Sequence, residues 1–402
     1  MRPRGALRLA RGKPRYAMQR PTQPPTTSVR DGAPVDDLDA DGARSADAAL
    51  VGGERLLRAM VTQVPPRFWL YSALFAASHL LGYPIALAFI AAVLQALFFL
   101  SVVWQVDCYE EEPWRLVERA FFWGALPAVI LAVIGEALLG GSTRFLLGSA
   151  VAHSFEVVIV APIVEELCKG AVLVHLFRHR REEFDGRLDG LLYGALVGLG
   201  FSMTENAFYY LGAPSADLAG MIVGRGLLFG MGHACFSGCF GFGLGVARDA
   251  PSRARRRWAP VAGLAAGIAL HMTNNYLASS PAIPLHVAEL ALTLSAALIW
   301  FRLANLARKR EADWIATELA DEGVVTPEEA AETRSVQRRI AARSQALLER
   351  TYGPANVRVR LYALATELAL AKHKAKIDPT HGYHARIAAL RRGIAALKTL
   401  RS

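Results

Sequence analysis

Residues 84–105 read PIALAFIAAVLQALFFLSVVWQ, a stretch without a single Asp, Glu, Lys or Arg. A helix needs about 20 apolar residues to cross a bilayer core. Inside that core only a helix or a closed barrel satisfies its own backbone polar groups. Upstream, 68–82 is a shorter apolar run, set off from the first by Gly82, Tyr83 and Pro84. Downstream, similar runs cover about 119–140, 145–177, 188–211, 219–247, 257–279 and 283–302. The chain as a whole is 53% hydrophobic over 402 residues, too apolar for an ordinary soluble enzyme. The expected fold is all-α: a polytopic membrane helix bundle of about eight transmembrane helices, with a small cytoplasmic helical appendix at the C-terminus.

Lys and Arg placement in short loops sets orientation. Arg178, Arg180, Arg181 and Arg187 follow the fourth run; Arg248, Arg253, Arg255, Arg256 and Arg257 follow the sixth; Arg302, Arg308, Lys309 and Arg310 follow the eighth. The alternate connections, 82–84, 140–144, 212–218 and 279–284, carry almost no basic residues. The basic loops are therefore expected inside the cell, with both termini cytoplasmic and the protein multi-pass in the cell membrane. A net charge of +10 then reflects topology and contact with anionic lipid, with no nucleic-acid partner required.

The flanks divide the chain into three parts. Residues 1–66 have the composition of a disordered basic tail, and their early arginines are followed by no apolar stretch of the kind a signal peptide has. Residues 67–303 form the membrane domain. In 304–402, Thr326-Pro327-Glu328-Glu329 is a capping-box helix start. Helical stretches are expected after it, with Ile340, Leu347 and Leu348 on one face, and then over about 357–377 and 383–400. Cys108, Cys168, Cys235 and Cys239 make no disulfide framework, and the last three read as small packing residues in apolar runs.

Chemistry is expected among the ionisable residues inside the runs, because a charge near the bilayer centre costs several kcal/mol unless paired or hydrated. The fourth run carries Glu165-Glu166-Leu167-Cys168-Lys169, and the fifth Phe201-Ser202-Met203-Thr204-Glu205-Asn206. The sixth carries His233, and the seventh His271-Met272-Thr273-Asn274-Asn275. At about 1.5 Å per residue, Glu165 lies roughly 18 Å from the cytoplasmic end of its helix, His233 and His271 roughly 21 Å, and Glu205 roughly 26 Å. All four therefore fall near one layer. Glu165 with Lys169, and His271 with Asn275, are i,i+4 pairs on single helix faces. Pro162 removes a backbone hydrogen bond just before Glu165 and loosens the helix there.

Carboxylates, imidazoles and an amide in one layer suit peptide-bond hydrolysis. A glutamate takes a proton from water, a histidine holds the water or protonates the leaving amine, and Asn275 donates to the oxyanion. Lys169 keeps a neighbouring glutamate ionised. No cofactor is required by this scheme, although Glu205, His233 and His271 also make a zinc set with an open position. The lysine favours the metal-free version, since a cation beside the glutamates repels a divalent ion.

These motifs resemble those of the PrsW family of intramembrane proteases: Glu165-Glu166-x-x-Lys169, Phe201-x-x-x-Glu205, a span with His233, and His271-x-x-x-Asn275. The loop Asp107…Glu110-Glu111-Glu112-Pro113 before Phe121-Phe122-Trp123-Gly124-Ala125 is similar to that family as well. The resemblance covers about 84–302. It extends to the CAAX prenyl endopeptidases and bacteriocin-processing proteases, which share the paired glutamates and the last His-x-x-x-Asn but have histidine where this chain has Glu205. It implies an intramembrane endopeptidase, of glutamic or metallo type, acting on membrane-anchored protein substrates such as anti-sigma factors, cut outside or near the outer face. It departs at Ser237, four residues after His233, where an acid would strengthen a contact behind the site.

The competing readings are an ion- or proton-coupled transporter using the same Glu and His residues, and an inert scaffold presenting the C-terminal helices. Repeats and discontinuous helices, common in transporters, are not evident in the sequence. Glu136, His153, Glu156 and Glu289 fall near outer span ends and are expected at the interface. Gly194, Gly198, Gly224, Gly230 and Gly238 are expected to pack helices closely.

Overall fold

The structure is a computed structural model that describes residues 83–399 except 108, 110, 111, 215, 321, 347, 350–352 and 378–381. The run at 68–82, the N-terminal tail, Cys108, Glu110, Glu111 and Leu347 lie outside the described residues. Among the described residues all regular structure is helical and there is no strand.

Seven long helical segments occupy the seven runs expected from Pro84 onward. They are α1 (Tyr83–Trp104), α2 (Trp114–Leu147), α3 (149–179), α4 (Arg187–Gly212), α5 (Leu218–Asp249), α6 (Arg253–Ala278) and α7 (Ile283–Leu319). Among the described residues, four (α1, α2, α5 and α7) are long and apolar enough to cross a membrane. In α3, α4 and α6 the apolar character is diluted by glycines and by the ionisable residues that the bundle buries. Large apolar side chains face outward on the peripheral helices, among them Ile90 and Leu94 on α1, Val133 and Leu138 on α2, and Leu294 and Leu298 on α7. A surface of that kind is stable only against lipid or a partner.

The central helix is α4, whose residues from Leu188 to Ser202 are all buried. It packs on α5 almost backbone to backbone. A Cβ at Gly198 would lie 2.1 Å from the carbonyl oxygen of His233, and one at Gly190 2.1 Å from that of Gly241. Lipid provides no hydrophobic drive between helices, so such close approach carries the packing. Gly194 and Gly238 belong to this contact, whereas Gly224 meets nothing within 4 Å. The glycine at 198 thereby sets the position of the helix turn that carries His233.

Three helices contain π-helical stretches: Gly124–Ala128 in α2, Glu156–Val160 in α3 and Ile222–Leu228 in α5. The first includes Pro127 and the second ends just before Pro162, so each is associated with a missing backbone donor. The third leads into a break at Phe229–Met231, after which the helix restarts at Gly232. No proline marks this discontinuity; Gly230 and Gly232 lie at it, and glycine weakens a helix interior.

Beyond the last apolar run, α7 continues unbroken to Leu319 and enters a second apolar core with α8 (Pro327–Thr333), α10 (Pro354–Ile377) and α11 (Tyr383–Thr399). Between them, α9 (Val336–Ala346) packs on α10. The capping box forms as expected: Glu329 N donates to Thr326 Oγ1 at 3.2 Å, and Thr326 N to Glu329 Oε2 at 2.8 Å. This C-terminal unit is fastened to the loops of the bundle. Lys374 Nζ pairs with Asp185 at 2.9 Å, Tyr109 Oη donates to the carbonyl of Arg334 at 2.5 Å, and buried Arg339 donates to the carbonyl of Tyr109 at 3.4 Å.

Candidate active site

The ionisable residues of α3, α4, α5 and α6 form one contiguous cluster inside the bundle. Lys169 is its centre and is fully buried. Its Nζ donates to Glu165 Oε2 at 3.0 Å and Glu166 Oε1 at 2.9 Å, and lies 3.0 Å from His233 Nδ1. An ammonium has three hydrogens and no acceptor, so all three are engaged and His233 Nδ1 is the acceptor. The ring is then neutral, with its proton on Nε2, which lies 2.7 Å from Glu205 Oε2. The Lys169 ammonium also sits 3.8 Å above the Phe201 ring, a cation–π contact strengthened by burial.

Glu166 is held on every side. Oε1 accepts from Lys169 and lies 3.1 Å from His271 Nδ1, while Oε2 accepts from Ser237 Oγ at 2.9 Å. The carboxylate makes Nδ1 the protonated nitrogen of His271, so Nε2 presents a lone pair, 3.9 Å from Glu165 Oε2. Phe236 stacks on the His271 ring with centroids 4.8 Å apart and fixes its plane. Glu165 differs from its neighbour. One oxygen is on Lys169, and Oε1 has no partner among the described residues.

The sequence-derived residues are thus brought together, with different neighbours than the sequence suggested for some. The donor atoms of Glu165, His233 and His271 lie within 4.8 Å of one another. Glu205 stands behind His233 instead and is also paired with Arg225 at 2.7 Å. Asn275 Nδ2 donates to the Val157 carbonyl at 3.0 Å. That carbonyl is available because the Ala161 N–H bonds to Glu156 O in the π stretch and Pro162 has no N–H to offer. Thr204, beside Glu205, likewise donates to Ala125 O of the α2 π stretch at 2.5 Å.

Two contributors were missed by the sequence reading. Ser237 looked like a departure from the pattern, yet its hydroxyl satisfies the far oxygen of Glu166. Arg225 carried no signal beyond being a lone cation in an apolar run. Of the residues expected at the interface, Glu156 accepts from Thr143 Oγ1 at 2.5 Å, but Glu289 is buried, with His286 Nδ1 3.3 Å away. A neighbouring imidazole supplies the partner that water supplies elsewhere. Cys168, Cys235 and Cys239 are free thiols.

The charge balance of the cluster is informative. Glu165, Glu166 and Glu205 face Lys169 and Arg225, so with neutral histidines one negative charge is uncompensated. In a low-dielectric interior such a charge strongly favours gaining a proton or a cation.

The model of the PrsW family intramembrane metalloproteases matches residues 112–303, the part of the chain that contains every residue of this cluster. Protease PrsW of Geobacillus kaustophilus is 34% identical over 165 residues, covering 41% of this chain and 68% of that protein. Protease PrsW of Bacillus subtilis is 31% identical over 173 residues, 42% of this chain and 72% of that protein. Protease PrsW of Clostridioides difficile is 25% identical over 170 residues, 42% and 69% of the two chains. No solved structure matches the chain at a comparable level. With its apolar helices, buried glutamate–histidine cluster and these relatives, the chain belongs to the PrsW family and is an intramembrane protease.

Proposed function

We propose that Glu165 is the general base of this protease and that Glu166 is its anchor. The observation that carries this assignment is the asymmetry of the pair. Glu166 has both oxygens occupied by Lys169, His271 and Ser237, whereas Glu165 retains an unpartnered oxygen among the described residues. A water between the unpartnered Glu165 oxygen and the His271 Nε2 lone pair, which lies 3.9 Å from the other oxygen of that carboxylate, would have both hydrogens accepted and its own lone pair free. Glu165 takes one proton as the water oxygen bonds to the scissile carbonyl carbon. The same proton then goes to the departing amide nitrogen, leaving a carboxylic acid and an amine. Lys169 holds Glu165 in place, and Glu205 orients His233.

The metalloprotease description of the family matches the donor set. Each histidine has one nitrogen on a carboxylate, His233 on Glu205 and His271 on Glu166, the support that metal-binding imidazoles use. Glu165, His233 and His271 would hold a zinc ion only if Lys169 gave up its contact with His233 Nδ1; bound there, the ion would supply Lewis-acid polarisation of water or the carbonyl.

The substrate class is a membrane-anchored protein, as the resemblance to anti-sigma-factor proteases suggests, cut near the outer face of a bundle of about eight spans with cytoplasmic termini. The transporter alternative is not favoured, because the family to which the chain belongs is one of proteases, even though α5 is broken as transporter helices are. The test is reconstitution of the full chain in liposomes with a panel of tagged single-pass proteins. Wild type should cut at least one of them and Glu165→Gln none, with equal insertion and melting temperature. Equal cleavage by Glu165→Gln would overturn the assignment.

A further inference from the structure

The polar contacts continue beyond Glu205 to a residue with no role so far. Arg225, inside the π stretch of α5, has Nη2 2.7 Å from Glu205 Oε1 and donates from Nε to Asn206 Oδ1 at 2.7 Å. Its guanidinium lies 3.7 Å from the centre of the Tyr209 ring. Asn206 in turn donates to Gln95 Oε1 of α1 at 2.8 Å, and Tyr210 Oη donates to the same oxygen at 3.1 Å. The planar fork is therefore held along its edge and across its face, which leaves it little rotational freedom.

The two oxygens of Glu205 do different things. Oε1 belongs to Arg225, and Oε2 lies 2.7 Å from His233 Nε2. Fixing the first oxygen aims the second. We propose that Arg225 is a positioning residue of the protease: by holding Glu205 it fixes the ring orientation of His233 and its Nε2–H tautomer, with the Nδ1 lone pair toward Lys169 and Glu165. The inference rests on the site reading above and adds a residue to it. Without Arg225, a buried Glu205 loses its only arginine partner among the described residues. It then turns away, and His233 Nε2 loses the carboxylate oxygen that lies 2.7 Å from it. A simple brace between α1, α4 and α5 would affect stability but not the tautomer, and this separates the two roles.

The test uses the full chain, labelled with 15N-histidine and reconstituted in lipid, read by solid-state NMR. The His233 signal is identified by its loss in His233→Gln. Wild type should have the neutral Nε2–H form. Arg225→Gln should lower its population below half and slow cleavage of the reporter at least tenfold with little change in KM. Arg225→Lys, which keeps a cation at Glu205, should fall between. Should Arg225→Gln not fold, Glu205→Gln carries the same test. Arg225 then claims the amide oxygen, the amide NH2 faces Nε2, and the Nε2–H form should again be lost. An unchanged tautomer in either variant, or a lower melting temperature with tautomer and rate unchanged, overturns the proposal. The tautomer is read without cleavage. Its loss in Arg225→Gln of a chain whose wild type cuts nothing would support the Arg225 geometry and overturn the protease site built on it.

Discussion

Lys169 Nζ and His233 Nδ1 lie 3.0 Å apart, and this contact determines how the rest of the site is charged. It makes His233 an acceptor toward α3, leaves the ring's proton on Nε2, 2.7 Å from Glu205 Oε2, and places a permanent cation beside the donor atoms of Glu165 and His233. A divalent ion bound by Glu165, His233 and His271 would have to share that space with the ammonium.

Replacing the cation should change metal binding. Lys169→Met removes the positive charge and leaves the donor set intact, so zinc should bind at least tenfold more tightly than to wild type. The variant without metal should be destabilised by about 3–5 kcal/mol, since its buried carboxylates lose their partner, and zinc should raise its melting temperature by mass action. Zinc stoichiometry and melting curves of the purified protein measure both effects. A variant that retains no more zinc than wild type would remove the competition.

Asn275 offers a sharper distinction than its motif suggested. As an oxyanion donor, its loss should cost about 3–4 kcal/mol in the barrier with folding unaffected. As the partner of Val157 O, its loss leaves a carbonyl unpaired at a cost of about 1 kcal/mol or more in stability. We expect Asn275→Ala to lower the melting temperature and slow cleavage less than about tenfold. A hundredfold loss of rate at unchanged melting temperature would return the amide to the oxyanion.

Hydropathy located the helices well because lipid-facing sequence is read by composition, and it failed where composition is silent. The last run was expected to end at 302, yet α7 continues to Leu319, since nothing between Phe301 and Leu319 breaks a helix. Among the site residues, the alignment of Glu165, Glu205, His233 and His271 followed from rise per residue alone. The direction of each side chain did not. Glu165 takes the place at the donor set that Glu205 was expected to hold, because Arg225 and His233 engage Glu205, and no spacing within α4 could show partners on α5. Ser237 and Arg225 were illegible for another reason: each acts through a partner on a different helix.

The orientation of the chain can be checked through contacts that share one end of the bundle. Lys374 pairs with Asp185 in the loop between α3 and α4, and Arg187 pairs with Asp249 after α5. The C-terminal unit must then lie on the same side as the arginine-rich loops. A reporter joined after Ser402 and a cysteine label introduced at Arg181 should both report the cytoplasm. Reporters that disagree would separate the C-terminal unit from these loops.

The C-terminal unit should also have its own response to acid. Glu322 is buried and accepts three hydrogen bonds from Arg391, at 2.5 to 3.1 Å, with Lys372 at 3.5 Å. The Arg391 hydrogen bonds hold the Glu322 carboxyl below the usual carboxylate range, and the same pair raises the arginine. A carboxyl whose pKa is lower folded than unfolded binds more protons when unfolded, so stability rises with pH through that interval. Its contribution is fully present above the ordinary glutamate value near 4.3 and is lost as pH falls through the lower folded value. The half-exposed arginine is screened by solvent, so the effect is modest and salt-dependent. Wild type should therefore lose protection of α10 and α11 amides between pH 5 and 3 in hydrogen exchange, while Glu322→Gln should be less protected at pH 7 and change less over the same range. Identical pH profiles for the two proteins would show that another carboxylate governs the acid response of this unit.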